Sequence, residues 1–272
     1  MTAATHPLRM PSWQAVLREQ FSTSLLVLRP FFYGAAAVLL FGDALLIKDV
    51  ILGTRIPHPK PWNTLNVSFG PEESVIAVVF AIVLALLLWI DDDRARRAYH
   101  WSMPIARRRH AFLKIAAGWL AAMGLTIALI GNVLLLSAAA AHIQHQPAHL
   151  LGVLPWWTLL VPLTSVTVGY ALASAACVGA QRPIVWVVGL PVLYFGLVTL
   201  CSSVALLKRF SSPILTLWSG RYGMSPMLGM VLGDSGQPAQ GAVPQWLLTV
   251  AVWAAGALAL LIFAANRPPE TT

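Results

Sequence analysis

The chain has 272 residues, of which 58% are hydrophobic and only 10% are charged. Soluble domains carry about 25% charged residues, so this composition excludes an ordinary soluble protein and is typical of a membrane protein. A formal net charge of +8 suggests nucleic-acid binding in a soluble chain. In a membrane protein, basic cytoplasmic loops that contact anionic lipid explain that charge without nucleic acid.

An N-terminal segment, residues 12–28, precedes the first long apolar run. Its apolar residues recur at spacings of three and four, which predicts one apolar helical face. We expect this helix to lie along the inner membrane surface and to end before Pro30, which disfavours helix continuation. The alternative is a cytoplasmic extension of the first span.

Six apolar segments are long enough to cross a membrane as helices, which takes about 20 residues. They cover residues 31–52, 74–90, 115–141, 155–180, 183–207 and 244–265. The sequence therefore predicts an all-α, polytopic integral membrane protein, with residues 1–272 forming a single transmembrane domain.

A strongly basic loop, residues 91–113, lies between the second and third predicted spans. The stretch from Asp91 to Lys114 holds seven of the 18 Lys and Arg residues. With both termini inside, 12 basic residues are cytoplasmic and 6 are outside. Because basic loops stay cytoplasmic, we expect both termini in the cytoplasm.

Residues 208–243 precede the last span and contain two similar pieces, SPILTLWSG and SPMLGMVLG. In the second piece Ser225 and Pro226 form a helix-start signal, and Gly220 and Gly233 are placed to end the two pieces. Each piece is too short to cross, so we predict a helical hairpin that dips into the outer leaflet. An ordinary amphipathic outer loop is the alternative.

Enzyme chemistry has little support in this sequence. Asp91, Asp92 and Asp93 lack a second acidic set on the same side to hold a metal ion, and they are better placed at the start of a cytoplasmic helix. The histidines at 142, 145 and 149 have no accompanying carboxylate or cysteine and suit a solvated loop. We therefore predict no catalytic residue, no metal site and no cofactor.

Several polar residues lie inside the predicted spans, where they are expensive and tend to face a bundle interior or a cavity. They are candidates for a translocation path, although hydroxyl groups also mediate ordinary helix packing. The candidates are Asn132, Thr164, Thr167, Tyr170 and Ser174.

The stretch RRAYHWSMPIARRRHAFLK is followed directly by the third span. Together with the surface helix, six spans and hairpin, it resembles the membrane-spanning subunits of type 2 ABC transporters, which are mostly exporters. In that family a charged helix is followed by a proline, an arginine and a lysine that opens the third span. Pro104, Arg107 and Lys114 match those positions here.

The resemblance implies a permease subunit in the cytoplasmic membrane, with a separate ABC ATPase subunit and a second permease copy as partners. ATP hydrolysis is then expected on the partner chain, and the loop between spans two and three would contact the ATPase. The alternative function is a membrane-anchored interaction or assembly protein whose basic loop holds anionic lipid or a regulator. The residues expected to dock on the ATPase are Arg94, Arg96, Arg97, Tyr99, Trp101, Pro104 and Arg107.

Overall fold

The structure is a computed structural model, and it describes residues 13–52, 71–90, 107–143, 156–180, 182–203, 216, 218–229 and 239–266. Within these ranges the chain is helical, and no strand is present. The predicted all-α class is therefore confirmed. The helices are α1 (Trp13–Leu52), α2 (Pro71–Ile90), α3 (Arg107–Ile143), α4 (Trp156–Gly179), α5 (Pro183–Ser203), α6 (Met224–Leu228) and α7 (Ala242–Asn266).

Five described helices are long and apolar enough to cross a membrane. Their apolar stretches are Leu17–Phe41, Ala111–Leu136, Leu159–Gly179, Pro183–Cys201 and Ala242–Asn266. The predicted span 74–90 corresponds to α2, whose apolar part, Ser74–Trp89, is shorter than these. The chain is thus a helical protein with several spans, and the sixth crossing stays a prediction.

The first helix differs from the prediction. Residues 13–52 form one continuous helix with Pro30 inside it, so the predicted break before Pro30 is wrong. Proline removes one backbone donor, but spans tolerate it where neighbouring groups satisfy the freed carbonyl. At 40 residues this helix is about 60 Å long, twice the hydrocarbon thickness, so part of it extends beyond the membrane. A continuous helix agrees with the alternative of an extended first span.

The bundle is built around α2 and α4. The fourth helix packs most extensively against α7 and α2, whereas α1 packs mainly against α3. Leu84 and Ala85 of α2 are fully buried, as are Val166 and Cys177 of α4. In contrast, α5 packs mainly against α4 and exposes most of its apolar side chains. Lipid or another chain therefore has to cover α5.

Two of the predicted helix boundaries before α7 lie in the described residues. The structure agrees with the prediction at Gly220 and differs from it at Ser225. The Gly220 N–H donates to the Thr216 carbonyl at 2.9 Å, and a Cβ at Gly220 would collide with that carbonyl, so glycine ends this turn as predicted. The next helix, α6, begins after Gly223, which has no side-chain cap. Ser225 lies inside α6, so its predicted capping role is wrong, and Gly233 lies outside the described residues. The helix ends instead at Gly229.

Candidate functional site

Three contacts bring helix ends together at one end of the bundle. The Lys114 ammonium lies 4.8 Å from the centre of the Trp89 ring, which joins the start of α3 to the end of α2. The Cys177 thiol donates to the Ala85 carbonyl at 4.0 Å, which places the end of α4 beside α2. A Cβ built at Gly179 would lie 3.0 Å from the Ala264 Cβ, so α7 ends there too. We call this end of the bundle the basic end.

The name reflects the arginines found at that end. Arg109 of α3 and Arg182, just before α5, are both exposed. The first half of α1 lies at the same end, because Asn132 Nδ2 in the second half of α3 donates to Asp43 Oδ1 in the second half of α1 at 3.0 Å. Arg18, near the start of α1, is exposed as well. The helices therefore gather basic residues from distant parts of the sequence at one end.

The basic loop of the sequence is attached to this end. It connects α2, which ends at Ile90, to α3, which begins at Arg107. The predicted docking residues Arg94, Arg96, Arg97, Tyr99, Trp101 and Pro104 lie outside the described residues. Arg107 is the first residue of α3. Their docking role stays a prediction, and what the structure describes is the base from which the loop leaves.

That base is firmly packed. Ala111 and Ile115, one and two turns into α3, are buried in the same apolar cluster as Leu88 and Trp89 at the end of α2. The ammonium of Lys114 lies over the Trp89 ring, a cation–π contact that gains strength where water is excluded. Sequence reasoning missed this pairing, although a tryptophan closing one span and a lysine opening the next were its visible signal.

Further along the same helices, α3 and α4 approach closely at Gly118. A Cβ there would overlap Tyr170 Oη and Leu88 Cδ1 and would lie 2.9 Å from Tyr170 Cζ. The next residue, Trp119, donates from Nε1 to Thr167 Oγ1 at 3.2 Å. Glycine at 118 thus makes room for a buried tyrosine. Nothing in the sequence distinguished this glycine from the others in the spans.

The predicted path residues do not form one cluster. Asn132 pairs with Asp43, about 20 Å along α3 from the Gly118 contact. Thr164 and Thr167 donate to carbonyls of their own helix, at Leu160 and Leu163 respectively. Such bonds fit the alternative of ordinary helix packing.

Tyr170 and Ser174 have a different environment from the two threonines. Both side chains are buried, and neither hydroxyl makes a hydrogen bond of good geometry among the described residues, although the Ser174 side chain, one turn along α4, is close enough to interact with the Tyr170 hydroxyl. A buried hydroxyl without a partner destabilises the fold. These two residues are therefore the members of the predicted set that packing explains least, and their role in transport stays a prediction.

At the opposite end of the bundle, the segment before α7 is held by its backbone carbonyls. Three of them accept hydrogen bonds from side chains of α4 and α7. The side chains of Gln245 and Thr249 donate to the Arg221 carbonyl, and Trp253 donates to the Tyr222 carbonyl. The Met227 carbonyl accepts from Ser165 and Trp246. Trp253 lies about 16 Å along α7 from Ala242. The segment is thus packed into the bundle and does not lie across its end.

Beside this segment is an open cavity of about 240 Å³, whose walls include Pro226, Gln245 and Trp246. Cys177 and Cys201 are buried and do not form a disulfide. In the described part of the chain, no three His, Cys, Asp or Glu residues are grouped to hold a metal ion.

No protein-family model, no curated protein and no solved structure matches the chain.

Proposed function

We propose that the chain is the permease subunit of an ATP-driven ABC transporter of the type 2, exporter class. It acts in the cytoplasmic membrane with both termini in the cytoplasm, with a separate ATPase subunit and a second permease copy. The observation that carries the proposal is the packed base of the basic loop, where α2 and α3 meet through Trp89 and Lys114. A loop that transmits force needs this kind of rigid attachment.

The packing of α2 explains how movement of the loop can reach the rest of the bundle. This helix has buried residues at intervals from Ser74 to Trp89 and contacts α1, α3, α4, α5 and α6. Packed helices move as rigid elements between discrete arrangements, because interiors are dense and deform little. An ATPase that displaces the loop would therefore move α2 and, through its extensive contact with α4, the rest of the bundle.

The chemistry of the loop suits a protein partner. Arginine offers a planar fork of donors for carboxylates, and tyrosine and tryptophan anchor interfaces. Arg94, Arg96 and Arg97 supply the forks, and Tyr99 and Trp101 the anchors. ATP hydrolysis is assigned to the partner, so the chain itself is proposed to be a transport subunit and not an enzyme.

The direct test is co-purification of an ATPase with the full chain from its native membrane in mild detergent. We expect vanadate-sensitive ATP hydrolysis in the eluate, and its loss when Arg94, Arg96 and Arg97 are all changed to Gln. A control changes Arg18 and Arg182 to Gln, because both are exposed at the same end and lie outside the loop. ATPase retained by the loop variant, or lost equally in both variants, contradicts the proposal.

A membrane-anchored assembly protein is the second candidate, and the exposed arginines of the basic end favour it. In that case the loop binds anionic lipid or a regulator through charge alone. Changing Arg94, Arg96 and Arg97 to Lys separates the two functions, because lysine keeps the charge but lacks the planar fork. A permease loses ATPase association in this variant, whereas a charge-based anchor keeps its binding.

A further inference from the structure

An arginine lies on the exposed face of α1, within the apolar stretch Leu17–Phe41. Arg29 Nε donates to Tyr33 Oη at 3.0 Å, and the guanidinium carbon lies 5.7 Å from the centre of the Tyr33 ring. Tyr33 is itself 62% exposed. The core-facing side of the helix is elsewhere, at Ser24, Leu28 and Ala35, which are buried. The arginine and tyrosine thus form a polar pair on the outside of the bundle.

The depth of this pair follows from the hydrogen bond between Asn132 and Asp43, which sets α1 beside α3 in the same direction. Counting back the same number of residues from Asp43 in α1 and from Asn132 in α3 places Arg29 beside Gly118. This region lies about 10 Å past Ala111, where the apolar stretch of α3 begins. The pair therefore lies beside the first half of the apolar stretch of α3, from where the long arginine side chain can extend toward the headgroups at the basic end.

The geometry leaves most of the donors of the pair available. The polar contacts that the structure gives Arg29 are both with Tyr33. Because Nε–H donates to the tyrosine oxygen, four N–H groups of the guanidinium remain, and the tyrosine O–H is free to donate in its turn. Several donors around one guanidinium match the oxygens of a phosphate group.

We propose that Arg29 and Tyr33 bind the phosphate of an anionic phospholipid in the leaflet at the basic end. Lipid is the occupant because it is what the exposed face of a spanning helix contacts, and its phosphate complements the charge. A second copy is the competing occupant, and a two-fold contact centred on this pair would bring the two Arg29 guanidinium groups together. The proposal depends on membrane insertion and not on the transport function.

The test measures binding of phosphatidylglycerol and of phosphatidylcholine with the same acyl chains to the purified full chain in detergent, by native mass spectrometry. We expect phosphatidylglycerol to bind more tightly, and Arg29→Gln to weaken that binding about fivefold, which is the effect of one basic residue near a membrane surface. Tyr33→Phe is expected to weaken it about twofold. Phosphatidylcholine carries the same phosphate, but its choline cation offsets the negative charge, so its binding is expected to be weaker and to change less in either variant.

Arg221→Gln is the matched control, because the Arg221 guanidinium also lies 5.7 Å from a tyrosine ring, that of Tyr222. It lies at the opposite end of the bundle, and we expect its loss to leave phosphatidylglycerol binding unchanged. Equal binding of the two lipids, or equal effects of Arg29→Gln and Arg221→Gln, overturns the proposal. So does a dimer in which a cysteine introduced at Tyr33 cross-links to its copy in high yield, because the face is then a protein interface.

Discussion

Replacing Gly118 with alanine tests the packing of α3 against α4. The new Cβ would overlap Tyr170 Oη and Leu88 Cδ1, and both side chains are buried, at 1% and 3% exposure, so neither can move away freely. Overpacking of this kind costs about 1–3 kcal/mol. Alanine recovers about 0.5–1 kcal/mol over glycine in a helix. These ranges give a net loss of up to about 2.5 kcal/mol, with a central value of about 1 kcal/mol.

Gly124 provides the control on the same helix. A Cβ at this position would have no atom within 4 Å, so Gly124→Ala introduces no clash. Only the higher helix propensity of alanine remains, and the substitution is expected to be neutral or slightly stabilising. The two substitutions are chemically identical and differ only in their surroundings. A difference in sign between them therefore measures the contact with Tyr170.

The buried thiols provide the assay. Cys177 and Cys201 are inaccessible in the folded chain, so a thiol-reactive fluorescent dye reports thermal unfolding in detergent. At about 2–4 °C per kcal/mol, a loss of about 1 kcal/mol in Gly118→Ala is expected to lower Tm by roughly 2–4 °C.

A second substitution at Tyr170 completes the test. Because Tyr170 Oη is the nearest atom to the new Cβ, Tyr170→Phe is expected to restore part of the loss when combined with Gly118→Ala, while Leu88 Cδ1 still hinders the alanine. Alone it should cost little, since this hydroxyl makes no hydrogen bond of good geometry in the described structure. Equal Tm values for Gly118→Ala and Gly124→Ala, or no rescue by Tyr170→Phe, contradict the predicted contact.

Two further predictions concern the two ends of the bundle and use the same dye assay. Lys114→Met removes the cation over Trp89 and should lower stability by about 1 kcal/mol. Lys114→Arg keeps a cation there and should retain most of that stability. Equal losses of stability in the two variants contradict a cation–π contact. At the other end, Ser165→Ala and Trp246→Phe each leave the Met227 carbonyl one donor, so the double variant should lose more than the sum of the singles. Strict additivity excludes a shared carbonyl.

The positions of the long helices could be predicted because apolar length alone determines them. Segments such as 183–207 and 244–265 correspond to α5 and α7, since a run of about 20 apolar residues has few alternatives to a helix in a membrane. The path of α1 through Pro30 could not be predicted in this way. Proline disfavours a helix locally, and contacts made elsewhere along the helix decide whether it continues.

The contacts between helices could not be predicted from the sequence either. The spans are apolar on all sides, so no periodic stripe marks the face that packs. Gly118 and Tyr170 are far apart in the chain and meet only through the arrangement of α3 and α4. The Trp89–Lys114 pair was closer to prediction, because both residues flank the basic loop. The start of α6 was misplaced because Ser225 matched a local capping rule, whereas the helix begins after Gly223, which has no side-chain cap.

The most direct measurement for the whole account is the sidedness of the basic loop in intact cells. Ala98→Cys places a thiol in the loop, and Gln240→Cys places one at the opposite end, while Cys177 and Cys201 are buried and serve as an internal background. We expect a membrane-impermeant maleimide to label Gln240→Cys in intact cells, and Ala98→Cys only after the cells are opened. Labelling of Ala98→Cys from outside would contradict the account, because a loop that faces away from the cytoplasm cannot contact an ATPase.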